Sequence, residues 1–199
     1  MKNVLHIISS PRGEESISVK LGNAITAQVA ETFPGSSVTQ LDLTVNPFPH
    51  IDGEQIKALR TPADLHTAEH KALLKRSDDA LAQLFATDII VIGAPIYNFG
   101  IPSTLKSWLD NVVRAGQSFT YASGSPEGLI KGKKAYIAVA SGAVFSEGPY
   151  TSFDFAISYL KGVLNFIGIT DIEVIRAEGL GVPTLQETAL DKAISAIAV

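Results

Sequence analysis

Between Asp88 and Asn111 the chain reads DIIVIGAPIYNFGIPSTLKSWLDN, an apolar run that passes through a short polar and aromatic stretch directly into a helical repeat. That order dictates strand, loop and helix, the unit from which parallel sheets are built. Ile89, Ile90, Val91 and Ile92 are β-branched and do not alternate with polar residues, as befits a strand covered on both faces. Leu105, Trp108, Leu109 and Val112 then recur at the i, i+3, i+4, i+7 spacing of a helix with one apolar side, which begins near Pro102 and Ser103. Ala94, Pro95, Ile96, Tyr97, Asn98, Phe99 and Gly100 fall at the carboxyl end of the strand, where open α/β sheets take their ligands. Pro95 and Pro102 stiffen this loop, and Gly100 is expected to supply a backbone conformation closed to other residues. Tyr, Asn and Phe on a rigid loop suit a flat ring with hydrogen-bonding edges. The plainer alternative is a tight connection whose aromatics only pack the core.

Four further runs read as strands: Val4 to Ser9, Ser37 to Leu43, Ala135 to Ala140 and Ile172 to Ile175. Helical patterns separate them at Ser16 to Phe33, Thr67 to Phe85, Pro102 to Ala115, Ser152 to Ile167 and Pro183 to the C-terminus. The alternation predicts one α/β domain over residues 1 to 199, a doubly wound five-stranded parallel sheet with helices on both faces, for which the habits of such folds, rather than any residue, supply the order 2-1-3-4-5. Asp42 to His66 and Gly116 to Gly132 resist the pattern. They are long, hold Pro or Gly turn signals, and read either as functional or interface-forming loops or as plain solvated ones.

The first strand runs into SSPRGEESIS, Ser9 to Ser18, at the start of a helix. Ser10, Ser16 and Ser18 offer hydroxyls, Arg12 a cation, and the helix start its free N–H groups, together a cradle for one phosphate. Neither the triphosphate loop G-x-x-x-x-G-K-[ST] nor the dinucleotide fingerprint G-x-G-x-x-G is present, so a monophosphate is the better match. Glu14 and Glu15 oppose this unless they point to solvent, and ordinary capping by Ser16 is the alternative. After the fourth strand, Ser141, Gly142, Ala143 and Val144 open a third loop, whose small residues permit close approach to a ring edge or simply form a flexible turn. Three loops thus converge on one edge of the sheet.

Composition removes several classes of function. The formal charge is -4, with no Lys/Arg run, which argues against an electrostatic nucleic-acid binder. There are no cysteines, so disulfides, thiolate nucleophiles and iron-sulfur ligation are excluded and redox chemistry needs an organic cofactor or a non-thiolate metal. The apolar run Val4 to Ile8 is too short for a signal-peptide core or a membrane span, and a cytoplasmic protein with no membrane partner is expected. His66 and His70 are four apart but lack a metalloprotease pattern, His6 reads as a core residue and His50 as a loop residue, so no metal site is expected.

On these residues the chain resembles the FMN-dependent NADH azoreductases, which are also NADH:quinone oxidoreductases of flavodoxin-like fold. The similarity spans essentially the whole sequence and rests on the SS-x5-S-x-S pattern of Ser9 to Ser18, LDLTVNPFPHIDGEQIKALR at Leu41 to Arg60, APIYNFGIPSTLKSWLDNVVRAG at Ala94 to Gly116, SPEGLIKGKKA at Ser125 to Ala135 and NFIGITD at Asn165 to Asp171. The resemblance implies that Ser10, Ser16, Ile17 and Ser18 hold the phosphate of a non-covalent FMN. It implies further that Pro95, Ile96, Tyr97, Asn98 and Phe99 line the isoalloxazine, and that Ser141, Gly142, Ala143 and Val144 meet its pyrimidine side. This chain reads SGAV there where relatives often read SRGG. It implies a homodimer with both flavins at the interface, and it makes Phe119, Tyr121, Arg60 and Asn98 candidates to shape a substrate pocket. The activity implied is a ping-pong transfer of two electrons from NADH to quinones and aromatic azo compounds, with no discrete catalytic acid or base. An FMN-binding electron carrier or sensor of flavodoxin type is the alternative from another class, and a scaffold of the same fold without cofactor is a third.

Overall fold

The computed structural model describes residues 1–122 and 124–199. Its central sheet is parallel throughout, built from β1 (Asn3–Ile8), β2 (Ser37–Asp42), β3 (Ile89–Pro95), β6 (Lys134–Ala140) and β7 (Asp171–Ala177) in the order β2-β1-β3-β6-β7. With two short strands set aside, this is the order 2-1-3-4-5 expected from the sequence. All seven residues of β3 are buried, because it lies at the centre with helices on both sides. The strand β2 is the exposed edge, which explains why its run carries Thr39 and Gln40.

Side-chain alternation divides the core in two. Ile90, Ile92, Ala94, Ile137 and Val139 pack with Trp108, Leu109 and Leu84 from α3 (Ala68–Ala86) and α4 (Ser103–Val112), and with Leu160 and Leu164 from α5 (Phe155–Phe166). On the other face Val4, Ile89, Val91 and Ala138 meet Leu21, Ile25 and Val29 of α1 (Ile17–Thr32) and Ala193 of α6 (Ala189–Ser195). At about 25 cal/mol per Å2 of apolar surface removed from water, these two clusters are the main favourable term in folding.

His6 sits on the α1 face of β1, wholly buried, with neither ring nitrogen hydrogen-bonded to a described residue. Burial holds its pKa at about 4, so the ring is neutral at physiological pH. Room for the ring comes from Gly22 in α1, where a Cβ would lie 2.3 Å from His6 Nε2.

The two segments without clear periodicity contain regular structure. Residues 42 to 66 include α2 (Gly53–Arg60), capped by Asp52, whose side chain accepts from Gln55 N at 2.8 Å. Gln55 Nε2 donates to Asn111 Oδ1 at 2.7 Å and Asn111 Nδ2 donates to Pro49 O at 3.1 Å, which docks the segment on α4. Residues 116 to 132 hold a minimal hairpin of β4 (Phe119–Thr120) and β5 (Glu127–Gly128). The expected C-terminal helix is shorter than the pattern from Pro183 suggested, since turns occupy the chain as far as Thr188. Likewise the pattern from Ser152 divides into a 3-10 segment, Gly148–Phe153, and α5.

Candidate active site

The turn after β1 supplies the first wall of a cleft. Ser9 Oγ donates to Gly93 O at 2.6 Å and ties the turn to β3. Ser10, Ser16 and Ser18 are all buried, and the Ser16 and Ser18 hydroxyls lie 3.0 Å apart. Ser16 occupies the N-cap of α1 yet makes no side-chain capping bond. The ordinary capping role is therefore not what is built here. A helix start without its usual side-chain acceptor, beside buried hydroxyls, is a donor set suited to an anion. Glu14 and Glu15 lie in an exposed 3-10 turn, and Glu15 pairs with Lys20 at 3.6 Å, so both acids face solvent.

The loop after β3 is rigid for a reason the sequence concealed. Tyr97 N donates to Gly100 O at 3.0 Å and Gly100 N to Tyr97 O at 2.9 Å, closing a tight bridge. The left-handed residues within it are Asn98, at φ 49°, and Phe99, at φ 69°, rather than Gly100. Two positive φ angles in succession are the pattern of a type I′ turn, and a bulky residue such as Phe holds one at a penalty of about 1–3 kcal/mol. Strain of that kind persists where surrounding structure over-determines it. Here the Phe99 ring is held 5.3 Å from the Phe153 ring and 6.2 Å from that of Phe145.

The loop after β6 is no flexible turn. Ser141 N donates to Ala177 O at 3.1 Å, Leu180 N to Ser141 O at 3.0 Å and Gly181 N to Gly142 O at 2.9 Å. Ser141 Oγ closes the turn on Ala143 O at 2.8 Å. The SGAV sequence is thus stitched by backbone to the segment that follows β7.

The three loops enclose a cavity of about 280 Å3, lined by Arg12, Ser16, Ile17, Pro95, Ile96, Tyr97, Ala140, Ser141, Gly142, Leu180 and Gly181. Leu180 and Gly181 were missed by the sequence reading, although the rule that ligands sit at the carboxyl ends of strands applies to β7 as well. A larger cavity of about 450 Å3 lies at the opposite end of the strands, beside Lys133 and Lys134. Two of its lysines are committed: Lys133 Nζ donates to Phe85 O and Thr87 O, and Lys134 pairs with Asp171 and Glu173, while Lys2 Nζ lies 5.6 Å from the centre of the Phe33 ring.

Ser10, Ser18, Asn98, Phe99, Ala143 and Val144 belong to the three loops but are not among the residues that line this cavity, and three further candidates lie outside the loops altogether. Arg60, at the end of α2, borders a separate cavity of about 320 Å3 with His66 and Arg114. Phe119 is buried with its ring 4.5 Å from Phe166, and Tyr121 stands edge-on to Phe119 at 5.5 Å. Both follow α4, which runs back from the carboxyl ends of the strands, and so lie toward the far end of the sheet. Among the histidines, His66 Nε2 faces the carbonyls of Thr61 at 3.0 Å and Ala58 at 3.2 Å, which fixes a proton there, and His50 Nδ1 meets Ser107 Oγ at 3.0 Å. No group of three or more His, Asp or Glu side chains that could hold a metal occurs among the described residues. No helix among them is long and apolar enough to cross a membrane.

The flavodoxin-like fold family matches residues 2–199. An FMN-dependent NADH:quinone oxidoreductase of Agrobacterium fabrum is 44% identical over 196 residues, covering 98% of this chain and 94% of that protein. The crystal structure of an azoreductase from Bacillus anthracis str. Sterne superposes with a TM-score of 0.87 at 30% identity, covering 98% of each chain. An FMN-dependent NADH-azoreductase from Bacillus anthracis str. Ames Ancestor, crystallised in complex with FMN, gives a TM-score of 0.85 at 27% identity over 98% of this chain and 97% of that one.

Proposed function

The chain belongs to the flavodoxin-like fold family, and from that premise we propose that it is an FMN-dependent oxidoreductase, passing two electrons from NADH to quinones and aromatic azo compounds. The observation that carries this reading is the uncapped start of α1, where Ser16 and Ile17 line the same cavity as Pro95, Ile96, Tyr97, Ser141 and Gly142 and the buried Ser18 hydroxyl lies 3.0 Å from that of Ser16. The relatives named for FMN, NADH and quinone or azo reduction at 27 to 44% identity support it.

Ser10, Ser16, Ile17 and Ser18 are the residues that would hold the phosphate of FMN. Pro95 to Phe99 would lie along the isoalloxazine, and Ser141 to Val144 at its pyrimidine edge. FMN, when bound, supplies the electron-transfer chemistry. The chain supplies orientation, through a loop after β3 closed by two backbone hydrogen bonds. It also limits water, through the apolar rings of Tyr97 and Phe99 on the cleft rim. No side-chain acid or base is assigned.

The same proposal includes a homodimer. Tyr97, Phe99, Tyr150, Phe153 and Phe155 are each more than 40% exposed around one rim, more apolar surface than a lone chain ordinarily presents in one place. A second copy seated there would supply residues such as Phe119, Tyr121 and Arg60, which are remote from the cleft of their own chain. A cytoplasmic setting and a single FMN-binding domain belong to the proposal too. The kinetic test varies NADH at several fixed concentrations of a benzoquinone in the FMN-loaded protein. Parallel reciprocal plots are expected, and intersecting ones would refute exchange of the two substrates at a single site. Sedimentation equilibrium reads the dimer, and a monomer at micromolar concentration would refute that part.

A further inference from the structure

Glu178 follows directly on β7, and its carboxylate reaches across to the neighbouring loop. Its carboxylate accepts from Phe145 N at 2.9 Å, from Ser146 N at 3.3 Å and from Ser146 Oγ at 2.5 Å, so both oxygens are engaged by the loop that leaves β6. Arg176, two residues earlier, holds Glu178 Oε1 through Nη1 at 3.1 Å and Asp154 Oδ2 through Nη2 at 2.6 Å. The three side chains are 19%, 16% and 8% exposed for Arg176, Asp154 and Glu178, dry enough that the charges depend on one another.

Each partner anchors a different part of the cleft. Glu178 fixes residues 145 and 146, immediately after Ser141 to Val144. Asp154 stands between the 3-10 segment carrying Tyr150 and Phe153 and the start of α5. Phe145 and Phe153 are the rings against which Phe99 rests in its left-handed conformation. One ionic cluster therefore fastens the third loop and the aromatic wall to the end of β7, and through them bears on the strained loop after β3. A charged acceptor holding two backbone amides is a strong anchor for a loop with no regular structure of its own.

We propose that Glu178, oriented by Arg176, is a positioning residue of the cofactor cleft: it sets the closure of the 141–146 loop and the Phe145–Phe153 wall, and with it the affinity for flavin. The proposal rests on the FMN reading above. It also bears on the SGAV sequence, since Glu178 adds a carboxylate anchor at residues 145 and 146 to the Ser141 and backbone bonds that hold residues 141 to 143.

The test compares the unaltered protein with Glu178→Ala, Glu178→Gln and Ser146→Ala, titrating FMN by quenching of its fluorescence and recording the visible spectrum of the bound flavin. Far-UV circular dichroism and Tm accompany each variant, and amide hydrogen exchange at Phe145 and Ser146 is followed without cofactor. Losing a charged acceptor with two or more bonds raises the Kd of Glu178→Ala for FMN by roughly tenfold or more, and Ser146→Ala by about threefold. Glu178→Gln, which keeps one carbonyl acceptor, falls between the unaltered protein and Glu178→Ala. The exchange of the two amides accelerates in Glu178→Ala while dichroism is preserved, and the bound-flavin spectrum moves toward that of free FMN. If Glu178→Ala does not fold, Ser146→Ala carries the test, because it removes a loop bond and leaves the ion pairs intact. FMN bound equally tightly by the unaltered protein and the folded variants would overturn the positioning role alone. Failure of the unaltered protein to bind FMN would overturn the flavin reading, and the role with it.

Discussion

Acidification should unfold this protein through His6 earlier than its carboxylates alone would. The ring is wholly buried against Gly22, without a hydrogen-bond partner among the described residues, and held at a pKa of about 4 by burial, against 6.5 for the free side chain. The native state thus binds fewer protons than the unfolded chain between those values. Its contribution is complete above the unfolded pKa and is lost as pH falls toward the folded one. At about 1.4 kcal/mol for each pKa unit the whole displacement is worth about 3 kcal/mol, of which about 2 kcal/mol is lost between pH 7 and pH 5. The perturbation is His6→Val, which puts a β-branched residue suited to a strand in its place and removes the titration. Its absolute stability is not the quantity of interest, because a smaller residue leaves a gap. Urea denaturation of both proteins at several pH values in that interval gives each one's pH dependence by linear extrapolation. The unaltered protein should lose about 2 kcal/mol more than His6→Val over that interval. Equal slopes for the two proteins would refute the assignment, and would mean that the buried ring does not resist protonation.

Other outcomes follow from the cleft and its supports. Replacing Ser16 and Ser18 together by Ala should raise the Kd for FMN by about tenfold or more at one to two hydrogen bonds lost, with Tm little changed, read by fluorescence titration. Asn98→Val places a β-branched side chain at φ 49° and should destabilise by about 1–3 kcal/mol in urea, whereas Asn98→Gly should not. Gly22→Ala forces a methyl into the His6 ring, and a loss of about 1–3 kcal/mol is expected from overpacking. In His6→Val that same substitution should be better tolerated, a coupling that a double-mutant cycle measures.

Much of this arrangement was open to reading from the chain. The unbroken β-branched run of Ile89 to Ile92 reads as a doubly covered strand, and it lies at the centre of the sheet. The serine loop and the loop of Tyr97, Asn98 and Phe99 were placed together because consecutive strands of a parallel sheet deliver their carboxyl ends to one edge. What stayed hidden depends on tertiary contact. The helix α2 buries Gln55 and Ala58 while Ile56 stays 41% exposed, so hydrophobic spacing could not reveal it, although Asp52 ahead of Gly53 and Glu54 is a capping signal. Gly100 looked like the residue of special backbone, yet Asn98 and Phe99 carry the positive φ, since the bridge between Tyr97 and Gly100 places the turn's two central residues there. Glu178 is one acid among twenty Asp and Glu. Only the meeting of β7 with the loop after β6 adds three donors from that loop to the one from Arg176. Phe119, Tyr121 and Arg60 were grouped with the cleft by resemblance, and within one chain they lie apart from it.

The central claim is that these three loops hold FMN for two-electron reduction by NADH. The most direct measurement is the visible absorption spectrum of the purified protein with FMN, before and after anaerobic addition of NADH. A bound-flavin spectrum that bleaches in a single two-electron step, and returns on addition of a quinone, is the predicted result. A flavin that binds but stays oxidised with NADH would contradict the oxidoreductase assignment and favour an electron carrier or sensor. Absence of any bound-flavin spectrum would contradict the site itself.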